Sequence, residues 1–511
     1  MLSLVKSLSV FGVDAFIVSV EADISHGLPV FTIVGLPDAA VKESQHRVQA
    51  ATKNSGFAFP NRKITVNLAP ADIRKEGAAF DLPVAVGILT AFGALPPRAS
   101  HDIGLLGELS LDGSLRPVRG AVSMALAARQ AGLAGLIVPK ENATEAAMVE
   151  GLPVYGLVSL IEVASFLKGE LRLQPTTVDV HRMFAQAAVH QVDLNEVQGH
   201  EHAKRALEVS AAGGHNVLMV GPPGSGKTML ARRLATILPP LTLPESLEST
   251  RIHSVTGTLS QKRPLVAVRP FRAPHHNISE AGMIGGGTFP RPGEVSLAHN
   301  GVLFLDEMPE FKREVLESMR QPIEDGEVTI GRAKTTLTFP ARFMLICAMN
   351  PCPCGFFGDP KHTCSCTPDR IRKYRSRISG PLLDRIDLHV EVPSLKYKEM
   401  SDKRSGESSS AVAGRVARAR RVQHERFAAV RSSVFANAQM GPRDIKKFCG
   451  ISDQSDAFLR TAIERLGLSA RAFHRILKVA RTIADLEGSD IIDSPHITEA
   501  VQYRSLDRTK W

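Results

Sequence analysis

The stretch Gly221-Pro222-Pro223-Gly224-Ser225-Gly226-Lys227-Thr228 follows the apolar run NVLMV and precedes MLARRLATIL. It fits G-x-x-x-x-G-K-[ST] in a strand–loop–helix context. Its glycines let backbone N–H groups close around phosphate oxygens, Lys227 reaches the β and γ phosphates, and the Thr228 hydroxyl can ligate Mg²⁺. Further on, GVLFLDE ends an apolar run in Asp306 and Glu307. The first carboxylate suits Mg²⁺ and the second suits polarising a water, a division that hydrolysis of ATP requires and simple binding does not. A strand followed by an acidic helix cap is the bland reading, and the P-loop beside it weakens that reading. The strand ARFMLICAMN ends in Asn350, whose side chain can sit between the acidic pair and the γ-phosphate. Arg385, in GPLLDRIDLHV, can complete a neighbouring subunit's site or form a surface salt bridge.

Four of the six cysteines, Cys352, Cys354, Cys364 and Cys366, fall in NPCPCGFFGDPKHTCSC as C-x-C-x₉-C-x-C. Two close pairs joined by a short loop can set four thiolates around Zn²⁺, where the metal would stiffen a loop too short to make a core. Redox-active thiols and unliganded cysteines are the alternatives, and His362 can substitute for a thiol. Cys347 and Cys449 stand apart and read as packing residues. His275 and His276 have no acidic or thiol neighbour at ligand spacing and read as a loop near the nucleotide or a pore. Basic residues gather in the GRAK turn between two strand-like runs (Arg332, Lys334), in RIRKYRSR and in VARARRVQHER. With 62 Lys and Arg against 52 Asp and Glu, a net charge of +10, they favour a polyanionic partner such as nucleic acid bound through its phosphates. Solvated charged faces on a merely basic protein are the alternative.

These residues need a scaffold of more than one domain, which 511 residues at 43% hydrophobic content can supply. The expected class is α/β. Strand-like and helical runs alternate over residues 1–172, then weaken in a linker-like stretch. A second α/β pattern covers 190–395, SDKRSGESSS reads as a surface loop or hinge, and 411–511 shows the apolar spacing of helices. The start of the chain, MLSLVKSLSVFGVDAFIVSV, carries Asp14 in its apolar part and no small-residue cleavage site, so it does not read as a secretion signal. The longest uncharged run, Leu82 to Pro97, is short for a membrane span and ends in two prolines. A cytoplasmic protein with no membrane partner is expected.

The order P-loop, LDE, Asn350, LLDRID and a helical segment with SARAFHRI resembles the AAA+ ATPases, more narrowly their Mg-chelatase-like branch. FTIVGLPDAAVKESQHRV and FRAPHHNISEAGMIGGGTFPRPGEVSLAHNGVLFLDEMPEF look like the YifB/ComM family, and the likeness covers almost the whole chain. The resemblance implies an AAA+ core with a C-terminal helical lid and a ring, usually a hexamer. Asn350 would be its sensor-1 residue, Arg385 the finger acting on the adjacent protomer, and Arg471 the sensor-2 arginine. It also implies helicase and branch-migration activity on single-stranded and branched DNA in natural transformation, with recombination proteins as possible partners. A hairpin at the position of GRAK projects into the channel of the related MCM helicases, which would put Arg332 and Lys334 on phosphates. VNLAPADIRKEGAAFDLPVAV and LLGELSLDGSLRPVRGAVSMALAARQAG resemble the proteolytic domain of Lon. Ala78 and Ala79 stand where its serine would be and Val122 where its lysine would be, so the dyad is missing and no peptidase chemistry is expected. A chelatase-like motor remodelling a protein or a porphyrin complex is the second expectation. A non-enzymatic Lon-like platform is a third, disfavoured by the intact GPPGSGKT and LDE.

Overall fold

The computed structural model describes residues 2–73, 75, 77–97, 100–187, 192–260, 263–287, 289–332, 335–395, 406–430, 434–466 and 469–504. They cluster into two compact units, one of residues 1–187 with Leu243–Ala267, the other of Ala188–Thr242 with Val268–Trp511.

The first unit is built on a seven-stranded sheet. Its strands are β1 (Leu2–Phe11), β2 (Asp14–Ser25), β3 (Val30–Val34), β4 (Lys63–Ala69), β5 (Ile103–Leu105), β6 (Gly135–Pro139) and β7 (Val154–Leu157), in the order β3-β4-β2-β1-β5-β6-β7. β1 and β2 pair antiparallel from Leu2↔Asp23 to Phe11↔Asp14, and Gly12 at φ +69° makes the tight turn between them. Helix α1 (Ala39–Asn54) starts where the Asp38 carboxylate accepts from Val41 N at 2.7 Å. Helix α2 (Asp81–Phe92), the uncharged run noted above, is buried on every side and ends at Gly93, φ +85°. It is a core helix, and among the described residues no helix is long and apolar enough to cross a membrane. Val122, on α3 (Ala121–Gln130), is fully buried.

Sequence continuity does not follow the units. Leu243–Ala267 lies inside the 190–395 span yet belongs with the first unit. Its helix, Leu243–Thr256, packs beside α3, with Leu243, Leu247, Leu265 and Ala267 in the cluster that holds Val122, Met124 and Ala125. Ser254 O accepts from Gly120 N at 3.2 Å, and the Ser254 hydroxyl bonds the buried Glu145 carboxylate. The stretch read as a linker contains a short helix, Val180–Ala187, whose Val180 is buried in the same cluster.

The second unit carries a five-stranded parallel sheet: β8 (Val217–Val220), β9 (Phe271–Arg272), β10 (Gly301–Leu305), β11 (Phe343–Met349) and β12 (Leu388–Glu391), in the order β9-β10-β11-β8-β12. β8 and β10 are buried at every position, the pattern of strands covered on both faces by helices. Helices α4 (Glu201–Gly213) and α5 (Lys227–Ile237) flank the sheet. The C-terminal helices α6 (Ser409–Ala428) and α7 (Ala470–Glu487) share its core, which runs from Val217, Ile346 and Val390 to Val416, Ile476 and Ile483. Ser469 caps α7 through Ala472 N at 3.2 Å, and Gly488 at φ +73° ends it.

Candidate nucleotide site and thiol cluster

The phosphate loop leaves the carboxyl end of β8, where open parallel sheets bind ligands. Gly221 meets the neighbouring strand end so closely that a Cβ would lie 2.0 Å from Val392 O, and Gly221 N donates to Met349 O at 3.2 Å. Gly224 and Gly226 adopt φ +75° and +87°, the left-handed turns that curl the loop and open α5. Lys227 is buried at the first turn of that helix. Its ammonium donates to Gly221 O at 2.7 Å and Pro222 O at 2.8 Å, and stands 3.4 Å from both Ser225 Oγ and Asn350 Oδ1. Burial holds its pKa below the usual lysine range, against the pull of Asp306 and Glu307.

The Thr228 hydroxyl donates to Asp306 Oδ2 at 2.7 Å. These two oxygens fit Mg²⁺, which keeps several waters and takes few protein ligands. Glu307 follows at φ +50°, its backbone N–H on Asp306 Oδ1 at 2.9 Å and its carboxylate 57% exposed. His276 Nδ1 lies 3.6 Å from Glu307 Oε2, and its ring packs against His275 and edge-on to Phe311.

Gly221 to Thr228, Asp306, Glu307 and Asn350 are therefore brought together. The two arginines are placed differently. Arg385 is 7% exposed, ion-paired to Glu324 at 2.6 Å and bonded to Pro381 O at 2.6 Å. Arg471 is largely exposed, 4.0 Å from Asp384.

Sequence reasoning missed three features. A cavity of about 340 Å³ beside the loop is lined by Val197, Gln198, His200, Gly224, Met229 and Leu395, the size of a nucleoside pocket. Its signal was the VQGHE run before α4, where His200 takes φ +56°. Secondly, Asp387 ties the sheet to the helical segment. It bonds Arg475 of α7, accepts from Asn216 N at 3.2 Å and lies 3.2 Å from His215 Nδ1, whose Nε2 is 2.8 Å from Thr482 Oγ1. Burial works to raise the Asp387 pKa, but Arg475 and His215 hold it well below the carboxylate range. Thirdly, the basic face of α6 is partly taken up inside the unit: Arg415 pairs with Glu208 and Glu407, Arg420 donates to Ala211 O, and Arg426 pairs with Asp485.

The four clustered thiols converge, all sulphurs within 4.8 Å of one another. Cys352 Sγ is 3.3 Å from Cys354 Sγ and 3.7 Å from Cys364 Sγ, and the latter two are 3.6 Å apart. Four sulphurs around Zn²⁺ at about 2.3 Å stand about 3.8 Å apart, so this donor set fits the metal. The thiols are free, too far apart for disulfides. N–H groups of Phe356 and Ser365 hold the Cys354 thiol down to about 5, which favours a thiolate there.

The GRAK segment forms a hairpin of Glu327–Arg332 and Thr335–Pro340, with Val328, Ile330, Leu337 and Phe339 buried on one face. Lys334 and the Arg332 side chain lie outside the described residues. In RIRKYRSR, Arg370 and Lys373 are exposed, while Arg372 pairs with Asp369 and Arg377 with Glu310 at 2.7 Å.

Comparison with known proteins places relatives along the whole chain. The family described as magnesium chelatase, subunit ChlI, matches residues 193–400, subunit ChlI of Mg-chelatase matches 20–142, and the magnesium chelatase subunit ChlI C-terminal family matches 406–504. The chain is 45% identical to competence protein ComM of Haemophilus influenzae, over 99% of this chain and 98% of that one. It is 46% identical to the uncharacterized protein YifB of Salmonella typhimurium, over the same shares of the two chains. A Lon protease of Salinispora arenicola is 25% identical over 35% of this chain and 24% of its own.

Proposed function

Since the chain belongs to the YifB/ComM family of Mg-chelatase-like AAA+ ATPases, we propose that it forms rings, as hexamers, and hydrolyses ATP to move on DNA, unwinding and branch-migrating strands during recombination of incoming single-stranded DNA. The observation that carries the ATPase is the joining of Lys227 to Asn350 and of Thr228 to Asp306 at the carboxyl end of the sheet. Lys227 neutralises the β and γ phosphates, Asn350 orients the terminal phosphate, and Glu307 accepts a proton from the attacking water. Thr228 and Asp306 would hold Mg²⁺, which supplies charge neutralisation when bound. Arg385 completes the neighbouring protomer's site once released from Glu324, and Arg471 on the lid reports the nucleotide state. Zn²⁺ on the four cysteines is structural.

The DNA role is supported by the name of the ComM relative, the hairpin and the exposed cations Arg370 and Lys373. Contact by Arg332 and Lys334, in the GRAK run, is part of the proposal. Steady-state ATPase with and without single-stranded and branched DNA, in the unaltered chain and in Lys334→Ala, tests it. Stimulation by DNA that vanishes in the variant is expected, and no effect of DNA on either protein would overturn the DNA reading. The matches to the magnesium chelatase subunit favour a second reading, a motor that remodels a protein or porphyrin complex. It would show as ATPase stimulation by such a partner and not by DNA.

A further inference from the structure

The thiol loop touches the nucleotide site at two separate places. Gly355, at φ +88°, sits so close to the P-loop that a Cβ there would lie 2.5 Å from Pro223 Cδ and 2.7 Å from Pro223 Cγ. Across the loop, Lys361 Nζ donates to Leu395 O at 2.7 Å. Leu395 lines the nucleoside-sized cavity together with Gly224, Ser225 and Gly226. Both contact residues lie inside the span that the sulphurs close: Gly355 follows Cys354, and Lys361 precedes Cys364.

Among the described residues few other contacts hold that span. Phe357 is 46% exposed, with the Arg375 guanidinium 5.3 Å from its ring centre, and Gly358 at φ +80° has nothing near its missing Cβ. The Asp359 carboxylate accepts from Lys361 N at 2.9 Å and lies 3.0 Å from His362 Nδ1, and the His362 ring packs on Phe356 at 4.6 Å. Apart from the Arg375 contact these are local restraints within one turn. The sulphur cluster is what ties the two ends of the loop to each other.

We propose that the metal on Cys352, Cys354, Cys364 and Cys366 sets the nucleotide affinity of the P-loop, by pressing Gly355 against Pro223 and holding Lys361 on Leu395. A divalent cation that prefers thiolates, Zn²⁺, is the ligand this site takes. The inference rests on the structural-zinc reading above and deepens it, because a brace that touches both the loop and the cavity wall couples two binding equilibria. Coupling is reciprocal, so bound nucleotide in turn tightens the metal by the same factor.

The test uses the full chain and ADP, which separates binding from hydrolysis. Zinc content is measured by atomic emission, the metal is stripped by dialysis against a chelator, and fluorescent ADP is titrated in excess Mg²⁺ before and after. One zinc per chain is expected, with Kd for ADP rising about tenfold on stripping and returning on re-addition of Zn²⁺, the far-UV circular dichroism unchanged throughout. Gly355→Val, metal still bound, should weaken ADP to a similar degree. In Pro223→Ala the effect of stripping should shrink, since the contact that transmits it is gone. Stoichiometric zinc whose removal leaves Kd unaltered overturns the coupling and leaves the metal site standing. A chain that takes up no zinc overturns the metal reading, and this inference with it.

Discussion

Thr228 Oγ1 donates to Asp306 Oδ2 at 2.7 Å, so the last residue of the phosphate loop and the first carboxylate beyond β10 are one hydrogen bond apart. Two oxygens suited to Mg²⁺ are thereby pre-assembled on different elements, and the exposed Glu307 carboxylate, beside His276, is available to act on water. Asp306→Asn keeps an acceptor for Thr228 and removes the charge. It should raise the Mg²⁺ concentration needed for half-maximal hydrolysis by at least about tenfold, a loss of about 1.4 kcal/mol. Glu307→Gln should bind ATP normally while kcat falls by about 10² to 10⁴. Mg²⁺ titrations of turnover, beside equilibrium binding of ATP, separate the two. Equal effects of the two variants on Mg²⁺ dependence would contradict the division of labour.

The Asp387–Arg475 pair joins the sheet to α7 and is buried on the carboxylate side. A carboxylate depressed in the folded state and ordinary in the unfolded one, at about 3.9, stabilises the fold above about pH 4, and that contribution is lost as pH falls below it. Asp387→Asn leaves Arg475 without its charge partner and should destabilise the second unit by about 3–5 kcal/mol at neutral pH. Between about pH 5 and about pH 3 the variant should lose less stability than the unaltered chain. Denaturant unfolding at several pH values checks both, and an identical acid slope would mean that another carboxylate controls it.

Arg385 faces Glu324 within its own chain. If it serves the neighbouring protomer, mixing two inactive variants, Arg385→Ala and Lys227→Ala, should restore part of the ATPase, because an Arg385→Ala subunit keeps its own phosphate loop and takes the finger of a Lys227→Ala neighbour. An arginine finger is worth about 10³ to 10⁵ in rate, so one variant subunit silences the site next to it. Glu324→Gln, which frees the guanidinium, should leave kcat unchanged or higher. No recovery of activity in the mixture would assign Arg385 to the internal ion pair alone.

In the first unit Val122 is fully buried, and Ala79 lends its carbonyl to Gly107 N at 3.0 Å. Ala79→Ser with Val122→Lys should therefore not create a peptidase. The lysine places an unpaired charge in an apolar cluster, and the expected result is loss of several kcal/mol with no peptide turnover. Thermal unfolding and a fluorogenic peptide assay read the two outcomes, and measurable hydrolysis by the double variant would revive a latent dyad.

The contacts that complete each site were legible to different depths. The phosphate loop was readable because its chemistry is contiguous: Gly224, Gly226, Lys227 and Thr228 sit on one strand–helix turn, and backbone geometry alone places their donors. Asp306, Glu307 and Asn350 were readable because each ends an apolar run long enough to be a central strand of a parallel sheet. The C-x-C pairs implied convergence for the same local reason. What depended on packing was not readable. Leu243–Ala267 joins the first unit because its apolar residues match the cluster around Val122, a fit no periodicity shows. Arg385 turns inward because Glu324 lies beside it, Arg475 finds Asp387 across 88 residues, and Gly355 meets Pro223 only when β8 and β11 pair. Sequence by itself determined the chemistry of each segment, since residue types and local turns carry that. Tertiary structure decided which segments face one another, because strand order and core packing bring together side chains that no local pattern connects.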